Sequence, residues 1–99
     1  MQIQKIQENE MITFYLDGRL DTVSSPDFQD VLIPALDEAK DIRLNFEKLE
    51  YVSSAGLRIL LMGQKAASAK GVSLRLTGVS DEIMEVLEMT GFTDLLTIE

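Results

Sequence analysis

The chain has 99 residues, 45% of them apolar and 26% charged, a net charge of −8, and neither histidine nor cysteine. That length and composition support one globular domain with one core. The negative charge argues against nucleic acid and anionic membrane surfaces, and the missing side chains exclude disulfides, thiolate metal sites and a Ser-His-Asp triad.

Gln2 to Gln7, with Ile3 and Ile6, reads as a weak first strand, and Asn9-Glu10 as the turn after it. Ile12, Phe14 and Leu16 alternate with Thr13, Tyr15 and Asp17, the period of a second strand. Ser25-Pro26-Asp27 then opens a helix with a cap, a proline in the first turn and an acid. Its apolar face is Phe28, Val31, Leu32, Ala35, Leu36 and Ala39. Pro34 lies inside that pattern and predicts a kink or two short helices, because proline removes a helix bond and crowds the preceding turn.

Ile42, Leu44 and Phe46 make a third strand. A long helix is expected from about Ser54 to Lys70, stopped by Gly71; its first half is apolar nearly all round, which reads as burial between sheet and neighbours or as a part-exposed partner patch. Val72, Leu74 and Leu76 form a fourth strand, and Ser80 caps a last helix that Gly91 ends. Asp94 to Ile98 is a short terminal strand. The order predicts an α/β domain over residues 1–99, with a mixed sheet of four or five strands, the later ones parallel. Alternating strands imply helices mainly on one face and a wetter opposite face.

The chain carries no G-x-x-x-x-G-K-[ST], G-x-G-x-x-G or G-x-S-x-G motif. Asp17 and Asp21 flank a turn, but their spacing matches no calcium loop, and acids in turns commonly bond backbone alone. No catalysis, metal or cofactor is therefore expected. No stretch reaches signal-peptide or membrane-span character, and the reading is cytoplasmic, without membrane insertion.

The informative segment is Leu49-Glu50-Tyr51-Val52-Ser53-Ser54-Ala55-Gly56-Leu57-Arg58, where an extended run meets an apolar helix. Ser54 is read either as a plain helix cap or as an exposed hydroxyl at the positive end of a helix dipole, where an added phosphate is stabilised. Asp21 is read as a turn acid or an interface residue, and Arg58 as a solvated charge or a partner for phosphate or carboxylate.

Three segments, Leu16-Asp17-Gly18-Arg19-Leu20-Asp21-Thr22, Phe46 to Leu57 and Leu87-Glu88-Met89-Thr90-Gly91-Phe92, together resemble the STAS domain family, which includes bacterial anti-anti-sigma factors. The resemblance spans essentially the whole chain. In that family a G-x-[LF]-[DE] turn lies beside a D-S-[ST]-G-[LA] helix start whose first serine is phosphorylated. It implies Ser54 as that serine, with Gly56 and Leu57 as the glycine and apolar residue after it, and Asp21 as the nearby carboxylate. Ser53 stands where phosphorylated members carry Asp and becomes a competing acceptor, and Ala55 replaces the second hydroxyl residue.

The function implied is an anti-sigma factor antagonist. Unphosphorylated, it binds an anti-sigma factor that is also a serine kinase, through Asp21, Thr22, Ser53, Ser54, Gly56, Leu57 and Arg58. Phosphorylation would release the kinase, and a metal-dependent serine phosphatase would reset the switch. The alternatives are a STAS adaptor on the ATPase of a membrane lipid transporter, or a small-molecule or nucleotide sensor with a polar pocket at Asp21 and Ser54.

Overall fold

The computed structural model describes residues 1–99. Alternating Ile12, Phe14 and Leu16 turn one side of a strand inward, and the hairpin that carries them sets the sheet. β1 (Gln2–Glu8) pairs antiparallel with β2 (Met11–Leu20) across a two-residue turn in which Asn9 takes φ 56°, the left-handed conformation such tight turns require. The chain continues through α1 (Ser25–Ala35), β3 (Asp41–Val52), α2 (Ser54–Lys70), β4 (Ser73–Thr77) and α3 (Asp81–Met89). A 3-10 turn at Phe92–Asp94 leads into β5 (Thr97–Ile98).

The sheet order is β1-β2-β3-β4-β5, antiparallel at the first pair and parallel from β2 onward. Each parallel step advances in the same direction, so crossovers of one hand put all three helices on one face. One cluster of 23 buried apolar residues fills the space between sheet and helices. Within it the Phe14 and Phe28 rings meet edge to face with centroids 6.5 Å apart. No helix is long and apolar enough to cross a membrane.

Three local expectations give way to the structure. Pro34 neither kinks α1 nor divides it. It sits in the last turn, the helix ends one residue later at Ala35, and Leu36 N–H turns back to the Ile33 carbonyl at 3.2 Å. A proline there removes a single bond close to where the ladder stops anyway. The cap of α1 is Ser24, with Ser25 already helical, and the Ser24 side chain makes no capping bond to that helix.

The third difference is in β3, which does not end at Phe46 but runs to Val52. Its register against β2 jumps between Tyr15 and Asp17 and again between Gly18 and Arg19, with the extra residues in β3. These bulges break simple alternation, so Phe46, Leu49 and Val52 are the buried positions of its second half. Replacing Phe46, which is fully buried before the first bulge, with alanine should cost about 3–5 kcal/mol of folding free energy in urea denaturation.

Candidate functional site

Parallel pairing of β2 and β3 brings the segments that follow them to the same edge of the sheet. Leu20 and Val52 are the last register partners, and the Ser53 N–H donates to the Leu20 carbonyl at 2.8 Å. The turn after β2 holds Asp21, Thr22 and Val23; the turn after β3 holds Ser53 and starts α2 at Ser54.

The cap of α2 is Ser53, not Ser54. Ser53 is extended at φ −84°, ψ 173°, its hydroxyl accepts the Gly56 N–H at 3.2 Å, and its carbonyl accepts the Leu57 N–H at 2.9 Å. Ser54 is the first helical residue and is exposed. The N–H groups of Ser54 and Ala55 lie at the end of the ladder where no intrahelical acceptor exists, so the helix presents open donors and partial positive charge beside the Ser54 hydroxyl. One serine thus holds the helix end while its neighbour stays unengaged.

Gly56 is buried against the end of β2. A Cβ there would stand 2.8 Å from both the Leu20 carbonyl oxygen and its Cγ, so glycine permits the helix start to close on that strand. Leu57 is only 6% exposed and belongs to the core. Both residues position the turn from below instead of presenting a surface. Arg58 is exposed one turn into α2, and Thr22 is exposed beside Asp21.

Asp21 organises its own turn. Its Oδ1 accepts the N–H groups of Val23 and Ser24, each at 3.0 Å, while its N–H donates to Ser24 Oγ at 2.9 Å. Ser24 Oγ in turn donates to the Arg19 carbonyl at 2.7 Å, and the Asp21 carbonyl accepts the Ser25 N–H at 2.9 Å. The Ser24 N–H is the leading reason that the Asp21 carboxyl is held below its ordinary value of 3.8. Burial opposes this, and the Ser24 hydroxyl, the Val23 N–H and the charge of Arg19 add to it.

Two features of this edge were not among the expectations from the sequence. The Arg19 guanidinium lies 4.2 Å above the Tyr51 ring, a cation–π pair created by their register partnership beyond the second bulge. Val23 stands 83% exposed in the Asp21 turn, an apolar side chain offered to solvent among polar groups. The first depends on a bulged register that periodicity does not reveal. The second was open to detection, since Val23 falls between the last inward residue of β2 and the helix. The third matched segment, Leu87 to Phe92, lies at the far end of α3, across the domain from this edge.

A family model for the STAS domain matches residues 2–99. The anti-sigma-B factor antagonist of Staphylococcus aureus is 30% identical over 99 residues, covering 99% of this chain and 92% of its own. The structure of the anti-sigma factor antagonist SpoIIAA in its unphosphorylated form superposes with a TM-score of 0.79 at 19% identity, covering 99% of this chain and 87% of that one. The phosphorylated form of the Bacillus cell fate determinant SpoIIAA gives 0.78 at 20% identity, over 99% and 91% of the two chains.

Ser53→Ala should lower stability by about 1 kcal/mol through loss of the cap, whereas Ser54→Ala should change it by less than about 0.5 kcal/mol; chemical denaturation of the two variants separates them. Asp21 should titrate by NMR below 3.8, and because its folded pKa is depressed, its stabilising contribution should be full at neutral pH and fade as pH falls through that lowered midpoint. Asp21→Asn should flatten that acid limb of the stability profile.

Proposed function

Because the chain belongs to the STAS domain family, we propose that it is an anti-sigma factor antagonist whose binding edge is switched by phosphorylation of Ser54. The carrying observation is the division of labour at the start of α2: Ser53 takes the cap, and Ser54 stands exposed at the positive end of the helix. A modifying enzyme can reach such a hydroxyl without unfolding the helix. The Staphylococcus aureus relative, named an anti-sigma-B factor antagonist, supports the class of function. A fold relative known in both unphosphorylated and phosphorylated forms supports the kind of switch.

The unmodified edge offers a partner the Thr22 and Ser54 hydroxyls, the Val23 side chain and the Arg58 charge. The partner is an anti-sigma factor with serine kinase activity, acting in the cytoplasm, and binding it frees a sigma factor. Transfer of the ATP γ-phosphoryl group to the Ser54 hydroxyl, with loss of its proton, adds a charge of about −1.5 to −2. The open N–H groups and the dipole of α2 favour that charge, so the fold tolerates it. On the binding side it meets Asp21, already ionised at neutral pH, and must be desolvated against the partner. The switch therefore acts on association and leaves folding intact. A metal-dependent serine phosphatase returns the chain to its binding form by hydrolysing the ester.

Phosphopeptide mapping after incubation with the cognate kinase should locate the phosphate on Ser54. Ser54→Ala should abolish it, and Ser53→Ala should largely spare it. Ser54→Asp should weaken partner binding about 10- to 100-fold, roughly 1.4–2.8 kcal/mol, with less than about 1 kcal/mol change in folding stability. Binding at wild-type strength would remove the phospho-switch and favour the transporter-adaptor alternative.

A further inference from the structure

Beyond Arg75 the chain carries no lysine or arginine, while Asp81, Glu82, Glu85, Glu88, Asp94 and Glu99 are all acidic, so this last part of the domain holds most of the net charge of −8. Glu99 pairs with Arg75; the other five are exposed and make no ion pair. Their arrangement on α3 is unfavourable. Glu82, Glu85 and Glu88 recur every third residue, a spacing at which side chains are neighbours and like charges repel. Glu85 and Glu88 also lie toward the C-terminal end of the helix, where the dipole disfavours acids, and no basic residue stands in that last turn to offset them.

Apolar side chains stand in solvent among these acids. Ile83 and Leu87 turn α3 toward the core, which puts Glu82, Glu85 and Met89 on its outer side with Val86 flanking them. Met89 is 80% exposed, and Leu95, just past the 3-10 turn that follows the helix, is 52% exposed. Large apolar groups left uncovered inside a charged rim have the make-up of a docking surface.

We propose that the outer side of α3 docks a basic amphipathic helix of a protein partner, with its apolar residues on Met89 and Val86 and its lysines or arginines over Glu82, Glu85 and Glu88. Such a segment relieves the repulsion along the helix and covers the apolar groups in one contact. Other occupants fit worse. A second copy of the chain would bring the same acids against one another, and nucleic acid or an anionic membrane would be repelled as well. No three carboxylates converge closely enough to hold a metal ion. Met89 has an unbranched, polarisable side chain that adapts to varied apolar partners. α3 has only nine residues, so the contact is small and belongs with transient, salt-sensitive interfaces. The end of α3 lies across the domain from Ser54, and the proposal does not rest on the Ser54 reading.

Amide NMR titration of the whole chain tests this with three synthetic probes: a short leucine–lysine helix with its leucines on one face, a scrambled peptide of the same composition, and a leucine–glutamate counterpart. The first alone should give saturable shifts, centred on Glu82, Glu85, Val86 and Met89, and its affinity should fall as salt is raised. Met89→Ser should weaken its binding at least about fivefold, and Glu85→Gln with Glu88→Gln at least about tenfold. Asp27→Asn with Asp30→Asn removes the same charge from α1 and should change binding less than about twofold. All these positions are exposed, so the variants keep the fold. Equal binding of the scrambled peptide, equal loss in the α1 pair, unaltered binding in Met89→Ser, or no saturable shift at these residues would overturn the proposal. So would dimerisation of the chain alone, or its uptake onto phosphatidylcholine vesicles, if Met89→Ser abolished it: the face would then belong to a second copy or to a membrane.

Discussion

The approach of α2 to the end of β2 is the contact on which the proposed binding edge depends. The Leu20 carbonyl accepts the Ser53 N–H, and Gly56, lacking a Cβ, lets the first turn of the helix settle on Leu20. The two contacts reinforce each other. The hydrogen bond extends the parallel pairing one residue beyond the strand, and the glycine keeps the helix from standing off. Without that closeness the turns after β2 and β3 would still share an edge of the sheet, but their spacing would be loose. Leu57, driven into the core immediately afterward, fixes which way the helix faces.

Chemistry at this edge is partitioned between groups used for structure and groups left available. Asp21 has polar capacity committed to the backbone of Val23 and Ser24, which lowers its pKa. Ser53 is committed to Gly56. Thr22, Val23, Ser54 and Arg58 remain exposed. This partition separates the energetics of folding from those of binding, because the exposed groups contribute little to the folded state. It also leaves the Asp21 turn at the same edge of the sheet as the N-terminus of α2, whose dipole favours negative charge.

The open face of the sheet has a different character. Its side chains are ordered by strand register, and Arg75 is paired there with both Asp41 and Glu99. The bulges in β3 change the face on which successive residues fall, so the stack of Arg19 on Tyr51 appears where simple alternation would have set the two residues differently.

Much of this was legible in the residues themselves. Asn9-Glu10 marked the hairpin, Ser80 capped α3 through the Ile83 N–H at 3.2 Å, and Gly71, at φ 71°, ended α2 where periodicity stopped. These are local effects, in which one residue type relieves one backbone constraint. The errors were of another kind. Ser53 and Ser54 are equally good caps by type, and Ser53 takes the role because the Leu20 carbonyl holds its backbone extended. Pro34 marked the end of α1 and not a kink, because Leu36 and Ala39 reach the core from a turn as well as they would from a helix.

Residue pattern by itself determined the element types, their order, the single core and the parallel arrangement after the hairpin, since period, caps and turn residues act over a few positions of chain. Only the tertiary structure decided which serine is engaged, how far β3 extends, and that Arg43 and Arg75 are register partners. Each of these follows from strand register and close packing between segments distant in sequence, and such contacts leave no periodic trace in the chain that makes them.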